Sequence, residues 1–220
     1  MELNFLETLR SSLVLLILLV CSGIAVTFIF ERWIYLRRMT VNSDLFFTQI
    51  REAVARGGLE AAISVCATSM SALASVIRAG LEEWHDGAKG LNGSAEMMSA
   101  VATEERGKLE KNLNVLGTLG NIAPLLGLIG TVIGIIRAFQ SMAMTGQSGP
   151  SIISAGIAEA LTTTVAGLLV AIPAVIAYNF YLRRVNTIMA EIDSVSKKVN
   201  VMLDGLNGLG HLGDMPRQGR

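Results

Sequence analysis

The chain has 220 residues, of which 51% are hydrophobic and only 16% are charged. Soluble domains carry charged residues at about a quarter of their positions, so this composition argues against a soluble enzyme and favours a membrane protein. The net charge is zero, with 18 basic and 18 acidic residues, so nothing indicates nucleic-acid binding through a basic face.

The first predicted element is a transmembrane helix over residues 13–36, preceded by a short periplasmic tail, residues 1–12. Eighteen residues from Leu13 to Phe30 carry no charge, which is enough to cross a hydrocarbon core of about 30 Å at about 1.5 Å per residue. The tail is net acidic and no small-residue cleavage site precedes Glu31, so we interpret the segment as an uncleaved anchor rather than a signal peptide.

A cytoplasmic helical region is predicted over residues 37–115, because this segment is rich in Ala, Glu, Leu and Ser. Glycine clusters interrupt helices, so we expect breaks at Gly57–Gly58 and over residues 87–94. Ser94 is predicted to be the N-cap of the next helix. No strong breaker follows until Gly117, which predicts that this helix continues into the second span.

Two further spans are predicted over residues 116–140 and 156–182, with a periplasmic loop at residues 141–155 between them. Residues 117–136 carry no charge. The third span is interrupted only by Pro173, which a membrane helix tolerates where neighbours satisfy the freed carbonyl. The predicted fold is therefore an all-α integral membrane protein with three transmembrane helices and long cytoplasmic helical extensions.

A cytoplasmic helix extension followed by a flexible tail is predicted over residues 183–220. Apolar residues recur there at helical spacing, at Ile188, Ile192, Val195 and Val199. Five glycines from Gly205 onward predict fraying of the end.

The distribution of Lys and Arg predicts the orientation. With the N-terminus outside, sixteen of the eighteen lie on the cytoplasmic side, the exceptions being Arg10 and Arg137. The positive-inside bias therefore predicts a periplasmic N-terminus and a cytoplasmic C-terminus.

Span two carries glycines that allow close helix contact. Gly130 and Gly134 have the small-xxx-small spacing of tightly packed membrane helices. The residues assigned to helix packing in the two spans are Pro124, Gly127, Gly130, Gly134, Gly167 and Pro173. Thr131, a hydroxyl deep in span two, either bonds back to its own helix or serves a polar path, and the sequence leaves both open.

Span three begins with a polar face formed by Glu159 and three hydroxyls, Thr162–Thr164. An ionised side chain at the bilayer centre costs at least about 2.5–3.5 kcal/mol, so Glu159 is expected to face protein or water. At about 100° per residue, Thr163 lies about 40° from Glu159 and Thr164 about 140° away. Glu159 is therefore either part of a proton path with Thr163 or an interhelical hydrogen-bond anchor.

No phosphate loop, metal cluster or nucleophile elbow occurs in the sequence, so no enzymatic activity and no cofactor is expected. The two histidines, His85 and His211, lie in polar, glycine-containing surroundings that favour exposed side chains over a metal site.

Two segments, APLLGLIGTVIGIIRAF (residues 123–139) and GIAEALTTTVAGLLVAIPAVIAYN (residues 156–179), together resemble the MotA/TolQ/ExbB proton channel family. The resemblance is strongest to its ExbB/TolQ branch, since MotA itself is longer and has four spans. The detailed match covers residues 114 to about 190, and the order of spans agrees over nearly the whole chain.

The resemblance implies a homopentameric ring in the bacterial inner membrane, among membrane lipids. Its second and third spans would line a pore that holds single helices from two copies of an ExbD/TolR-like partner, whose aspartate carries the protons. Matching the motifs places the family's pore-lining threonines at Thr131 and Thr164 and its glutamate at Glu159. Thr163, favoured by the helical projection, remains a further candidate. Arg137 stands where a less charged residue is expected.

The implied function is that of a proton-motive-force-driven motor subunit that passes energy to a TonB/TolA-like transducer, with TonB-dependent transport as the principal expectation. The alternatives are a TolQ-like envelope-maintenance subunit or a gliding-motor subunit. A small-solute secondary transporter would show internal repeats, which are not detectable here. A passive scaffold would explain the glycines but not Glu159 with its neighbouring hydroxyls.

Overall fold

The structure, a computed structural model, describes residues 13–87, 90–145 and 150–213. Throughout these ranges the ordered elements are helices, which confirms the predicted all-α class. The six helices are α1 (Leu13–Met39), α2 (Ser43–Thr68), α3 (Ala72–His85), α4 (Gly90–Glu110), α5 (Leu113–Thr145) and α6 (Pro150–Gly213). The predicted tail over residues 1–12 lies outside the described residues.

Three of the helices, α1, α5 and α6, are long and apolar enough to cross a membrane. They extend beyond the predicted spans, and residues 141–145 and 150–155, predicted as part of a loop, are helical. Pro150 is the first residue of α6, a position at which the fixed φ of proline suits a helix and its missing N–H costs nothing.

The chain divides into two compact units. The first combines Met1–Trp33 with Asn112–Leu182, and the second combines Ile34–Lys111 with Arg183–Arg220.

In the first unit, α1 packs against both α5 and α6. Val14 and Leu18 form a buried cluster with Ala123 and Ala171. Further along, the hydroxyl of Tyr181 donates a hydrogen bond to the carbonyl oxygen of Ile29 over 2.8 Å. Residue numbers therefore rise together along α1 and α6, so these two helices are parallel. Residue numbers run in opposite directions at the contacts between α5 and α6, so α5 is antiparallel to both.

In the second unit, the C-terminal part of α6 buries one face and contacts α2 and α4. Ile188, Ile192, Val195 and Val199 are all buried, which confirms the predicted apolar face. An ion pair joins α6 to α2 in this unit, with Lys198 Nζ 3.0 Å from Asp44 Oδ1.

The predicted helix breaks at glycines are confirmed. Gly58 has φ 71° and ψ −163°, a kink inside α2, and Gly87 has φ 69° just beyond the end of α3. Both are conformations that residues with a Cβ rarely adopt.

Two predictions about the helix that follows are wrong. Ser94 is not an N-cap: α4 already begins at Gly90, and the buried Ser94 hydroxyl donates to the carbonyl oxygen of Gly80 on α3 over 2.8 Å. The close approach of α3 and α4 explains this bond, because a Cβ on Gly80 would collide with the side chain of Met98. In addition, α4 does not continue into the second span but ends at Glu110, and Asn112 takes a left-handed conformation with φ 65° before α5 begins. Asn tolerates this conformation better than other residues with a Cβ, which is why no glycine marks the break.

Candidate functional site

Helices α5 and α6 pack through small residues along the membrane-spanning part of the first unit. At each contact a glycine on one helix meets a residue on the other, and residue numbers rise along α5 as they fall along α6. The contacts are Gly117 with Tyr178, Gly120 with Val175, Gly127 with Thr164, Gly130 with Thr163, Gly134 with Ala160, and Gly156 with Ala138. In lipid, helix association depends on such close packing because the apolar side chains gain little by leaving the lipid tails.

The closest backbone approach is at Gly167, one of the residues assigned to packing. A Cβ built there would lie 2.6 Å from the carbonyl oxygen of Ala123 and 3.1 Å from Cα of Gly127. A Cβ on Gly134 would lie 2.8 Å from Cβ of Ala160. Pro124 and Pro173 both lie inside their helices, α5 and α6, where each removes one backbone hydrogen bond.

Thr163 is the buried hydroxyl at this interface, with 2% of the residue exposed. Its Oγ lies 2.7 Å from the carbonyl oxygen of Ala160 and 3.2 Å from that of Gly127, and it donates to both. A hydroxyl has one hydrogen, so the two acceptors share it. Thr163 therefore links span three to span two.

Thr164 reaches the same acceptor. Its partly buried hydroxyl donates to the carbonyl oxygen of Gly127 over 3.2 Å. Two consecutive threonines of α6 thus converge on one carbonyl of α5, an arrangement possible because Gly127 has no side chain to keep the helices apart.

Thr131, the other threonine predicted to line a pore, makes a local bond. Its hydroxyl donates to the carbonyl oxygen of Leu128, one turn back on its own helix, over 2.6 Å. Thr162 does the same on α6, donating to Ala158 over 2.8 Å. These are the back-bonds that membrane threonines commonly form.

Glu159 lines a small cavity of about 90 Å³ in the first unit. Of the other predicted pathway residues, Thr163 also lines it, whereas Thr131 and Thr164 are not among its lining residues. The cavity is completed by Leu13, Val14, Gly130, Ile133, Gly134, Arg137 and Ala160. The structure thus brings together Glu159 and Thr163, the pair that the helical projection favours.

Sequence reasoning missed two features of the site. Arg137 was expected only as an unusual charge, yet it lines the same cavity as Glu159. The carbonyl oxygen of Gly127 accepts hydrogen bonds from two hydroxyls. The sequence shows the glycine but does not indicate these bonds.

The described residues hold no cluster that would bind a metal. Across residues 13–87, 90–145 and 150–213, no three His, Cys, Asp or Glu side chains come together in a way that could ligate one. His85 is the last residue of α3 and is exposed, and the side chain of His211 lies outside the description. The chemistry available at the site is therefore that of one carboxyl group, one guanidinium group and several hydroxyls.

The chain is similar in sequence to several known proteins. The chain is 44% identical over 94 residues to the Tol-Pal system protein TolQ of Pseudomonas aeruginosa, a match that covers 43% of this chain and 41% of that protein. It is 38% identical over 104 residues to the biopolymer transport protein exbB1 of Vibrio cholerae, covering 47% of this chain and 46% of the relative. It is 42% identical over 84 residues to the biopolymer transport protein ExbB of Salmonella typhimurium, covering 38% of this chain and 34% of that protein. The chain thus spans less than half the length of each of these relatives.

The matching family model covers residues 68–194, which contain α3–α5 and much of α6 with every predicted pathway residue. Since this is more than half of the sequence, the chain belongs to the MotA/TolQ/ExbB proton channel family.

Proposed function

We propose that this chain is the ring-forming subunit of a motor complex in the bacterial inner membrane that is driven by the proton-motive force. The observation that carries the proposal is the polar contact between spans two and three, where Thr163 and Thr164 bond to Gly127 and Glu159 lines the adjoining cavity. Polar groups inside a membrane protein are costly and are retained chiefly where they mark an ion pathway or a helix contact.

The proton carrier is proposed to come from a partner. None of the three predicted spans contains an aspartate. An ExbD/TolR-like single-span protein, present in two copies per ring, would supply that carboxyl group, and a TonB/TolA-like transducer would receive the energy. One charge crossing 100 mV releases about 2.3 kcal/mol, which is comparable to the cost of about 2.5–3.5 kcal/mol for holding one charged side chain in the membrane.

The proposed path begins outside, near Glu159, passes to the partner's aspartate, and leaves past the hydroxyls of Thr131, Thr163 and Thr164. This direction follows from the proposed orientation, with residues 1–12 and 141–155 periplasmic and residues 37–115 and 183–220 cytoplasmic. Reporter fusions at residue 147 and at the C-terminus test the orientation. Activity of a periplasm-specific reporter at the C-terminus would overturn it.

A single chain leaves most of its apolar span surface uncovered, which leaves room for the neighbouring subunits of the proposed homopentamer. In the most apolar 18-residue stretch of each span-forming helix, only a small share is buried within the chain: 22% in the first two helices and 28% in the third. These faces meet lipid, neighbouring subunits or the partner's helices. Packing angles set the number of subunits in such a ring, and five is the number that the family resemblance implies.

The first test is co-purification in mild detergent with the single-span proteins encoded beside this chain, followed by the mass of the intact complex. Five copies with two copies of a partner that carries a membrane aspartate is the expected result. The soluble domain of that partner would then distinguish TonB-dependent transport from a Tol-type or gliding role. A stable monomer or dimer without a partner would overturn the proposal and favour a small-solute transporter.

The second test is proton flux into vesicles that contain the chain with and without that partner. Flux is expected only with the partner, and E159A and T164A are expected to lower it. T162A is the matched control for T164A, because the Thr162 hydroxyl bonds to its own helix. Normal flux in E159A and T164A would indicate a scaffold.

A further inference from the structure

Arg137 and Glu159 are the only charged residues between Lys111 and Arg183 in the sequence. They lie on different helices, α5 and α6, yet both line one cavity of about 90 Å³. Apart from Thr163, the rest of the lining is apolar or glycine. A cation and a carboxyl group therefore border the same small cavity, although Arg137 is exposed in a single chain and Glu159 is partly buried.

The helix packing explains why the two charges meet. Gly130 lies against Thr163 and Gly134 against Ala160, which holds the two backbones close together. Arg137 follows Gly134 by three residues and Glu159 precedes Ala160 by one. In antiparallel helices, both side chains consequently leave the helix pair at the same end.

The donors around the cavity point to a specific role for Arg137. The hydrogen of the Thr163 hydroxyl is already given to Ala160 and Gly127, so towards the cavity this group offers only lone pairs. Among the nine residues that line the cavity, Arg137 is the one whose side chain has N–H groups to donate, five in a planar fork.

We infer that Arg137 is the counter-charge of Glu159 and positions its carboxylate inside this cavity, beside the Thr163 hydroxyl. A charged side chain within a membrane-spanning segment is costly unless it meets an opposite charge or water, and this applies to both the carboxylate and the guanidinium. Arg137 is thus a positioning residue for Glu159. The consequence for proton flux rests on the proposed function, whereas the pairing can be tested without it.

The pairing is tested by a double-mutant cycle on the purified full chain in detergent, with the midpoint of thermal unfolding as the readout. R137Q and E159Q are each expected to lower the midpoint by about 2–4 °C. The double variant R137Q/E159Q is expected to lose clearly less than the two single losses combined, and the charge swap R137E/E159R is expected to recover part of the loss. R183Q, which removes a charge outside the cavity, is the control. Its loss in unfolding midpoint is expected to add fully to that of E159Q. Additive losses would overturn the pairing.

Positioning is tested by proton flux through the complex with its single-span partner. R137Q is expected to lower the flux about tenfold, whereas R137K, which keeps the charge, should retain most of it. If R137Q conducts normally while the cycle shows coupling, Arg137 serves stability alone and the positioning role is overturned. If the unmodified complex shows no flux, the proposed function fails, and the double-mutant cycle still decides the pairing. R137K also keeps the test decisive if R137Q does not fold.

Discussion

The hydroxyl of Thr163 in the third span donates a hydrogen bond to the carbonyl oxygen of Gly127 in the second, over 3.2 Å. Thr164 donates to the same oxygen at the same distance. At this point the two spans are joined by hydrogen bonds as well as by packing. A substitution that removes one hydroxyl without changing side-chain volume isolates its contribution.

T163V is expected to lower the free energy of unfolding by about 0.5–1.5 kcal/mol, because the interhelical hydrogen bond is lost while the shape of the side chain is kept. T163S should retain most of the stability, since it keeps the hydroxyl. Thermal unfolding in detergent measures both. T162V is the control, because its hydroxyl bonds within its own helix, and an equal loss in T162V would contradict the interhelical role.

G167A is expected to destabilise the helix pair by about 1–3 kcal/mol, as overpacking of a tight contact does. The new Cβ would lie 2.6 Å from the carbonyl oxygen of Ala123, a backbone atom that cannot move alone. G23A is the matched control in span one, where a Cβ would meet nothing within 4 Å. Unfolding midpoints compare the two variants, and equal stability would show that α5 and α6 are further apart at Gly167 than the structure indicates.

Asn112 takes φ 65° at the break between α4 and α5. N112G is expected to keep or slightly raise stability, because glycine adopts this conformation freely. N112V is expected to lose up to about 1–2 kcal/mol, because a β-branched side chain is strongly disfavoured in the left-handed conformation that Asn tolerates. Thermal unfolding again distinguishes them. If N112V and N112G are equally stable, residue 112 does not hold a positive φ.

Cys66 is buried in the second unit, and this burial raises the pKa of its thiol from 9.0 to about 12. Since only the thiolate reacts with disulfide reagents, labelling at pH 8 is expected to be about a thousandfold slower in the folded chain than in denaturant. The measurement is made in the C21A background, which leaves one thiol. Rapid labelling of the folded chain would show that Cys66 is accessible and ionisable.

The same raised pKa predicts how stability depends on pH. Below pH 9 the thiol is protonated in both states, so its full contribution to stability is present. Between pH 9 and about 12 only the unfolded chain loses the proton, and the free energy of unfolding falls as pH rises. Denaturant titrations of the unmodified chain and C66A should therefore diverge above pH 9. If the stabilities of the two proteins instead fall in parallel above pH 9, other groups cause the loss of stability at alkaline pH.

The sequence alone was sufficient to predict the three membrane-spanning helices and the buried face of the C-terminal helix. Both follow from local rules: a span must match the thickness of the hydrocarbon core, and a packed helix must repeat its apolar residues every three or four positions. The helical period also placed Thr163 beside Glu159, at about 40° on the helical projection, and both line one cavity.

Only the tertiary structure decided which groups those side chains meet. The Ser94 hydroxyl bonds to Gly80 instead of capping a helix, Thr163 and Thr164 share the Gly127 carbonyl, and Arg137 joins Glu159 in one cavity. Each of these contacts depends on how closely two helices approach and in what register. That distance results from many small residues acting together, so it is not encoded at any single position of the sequence.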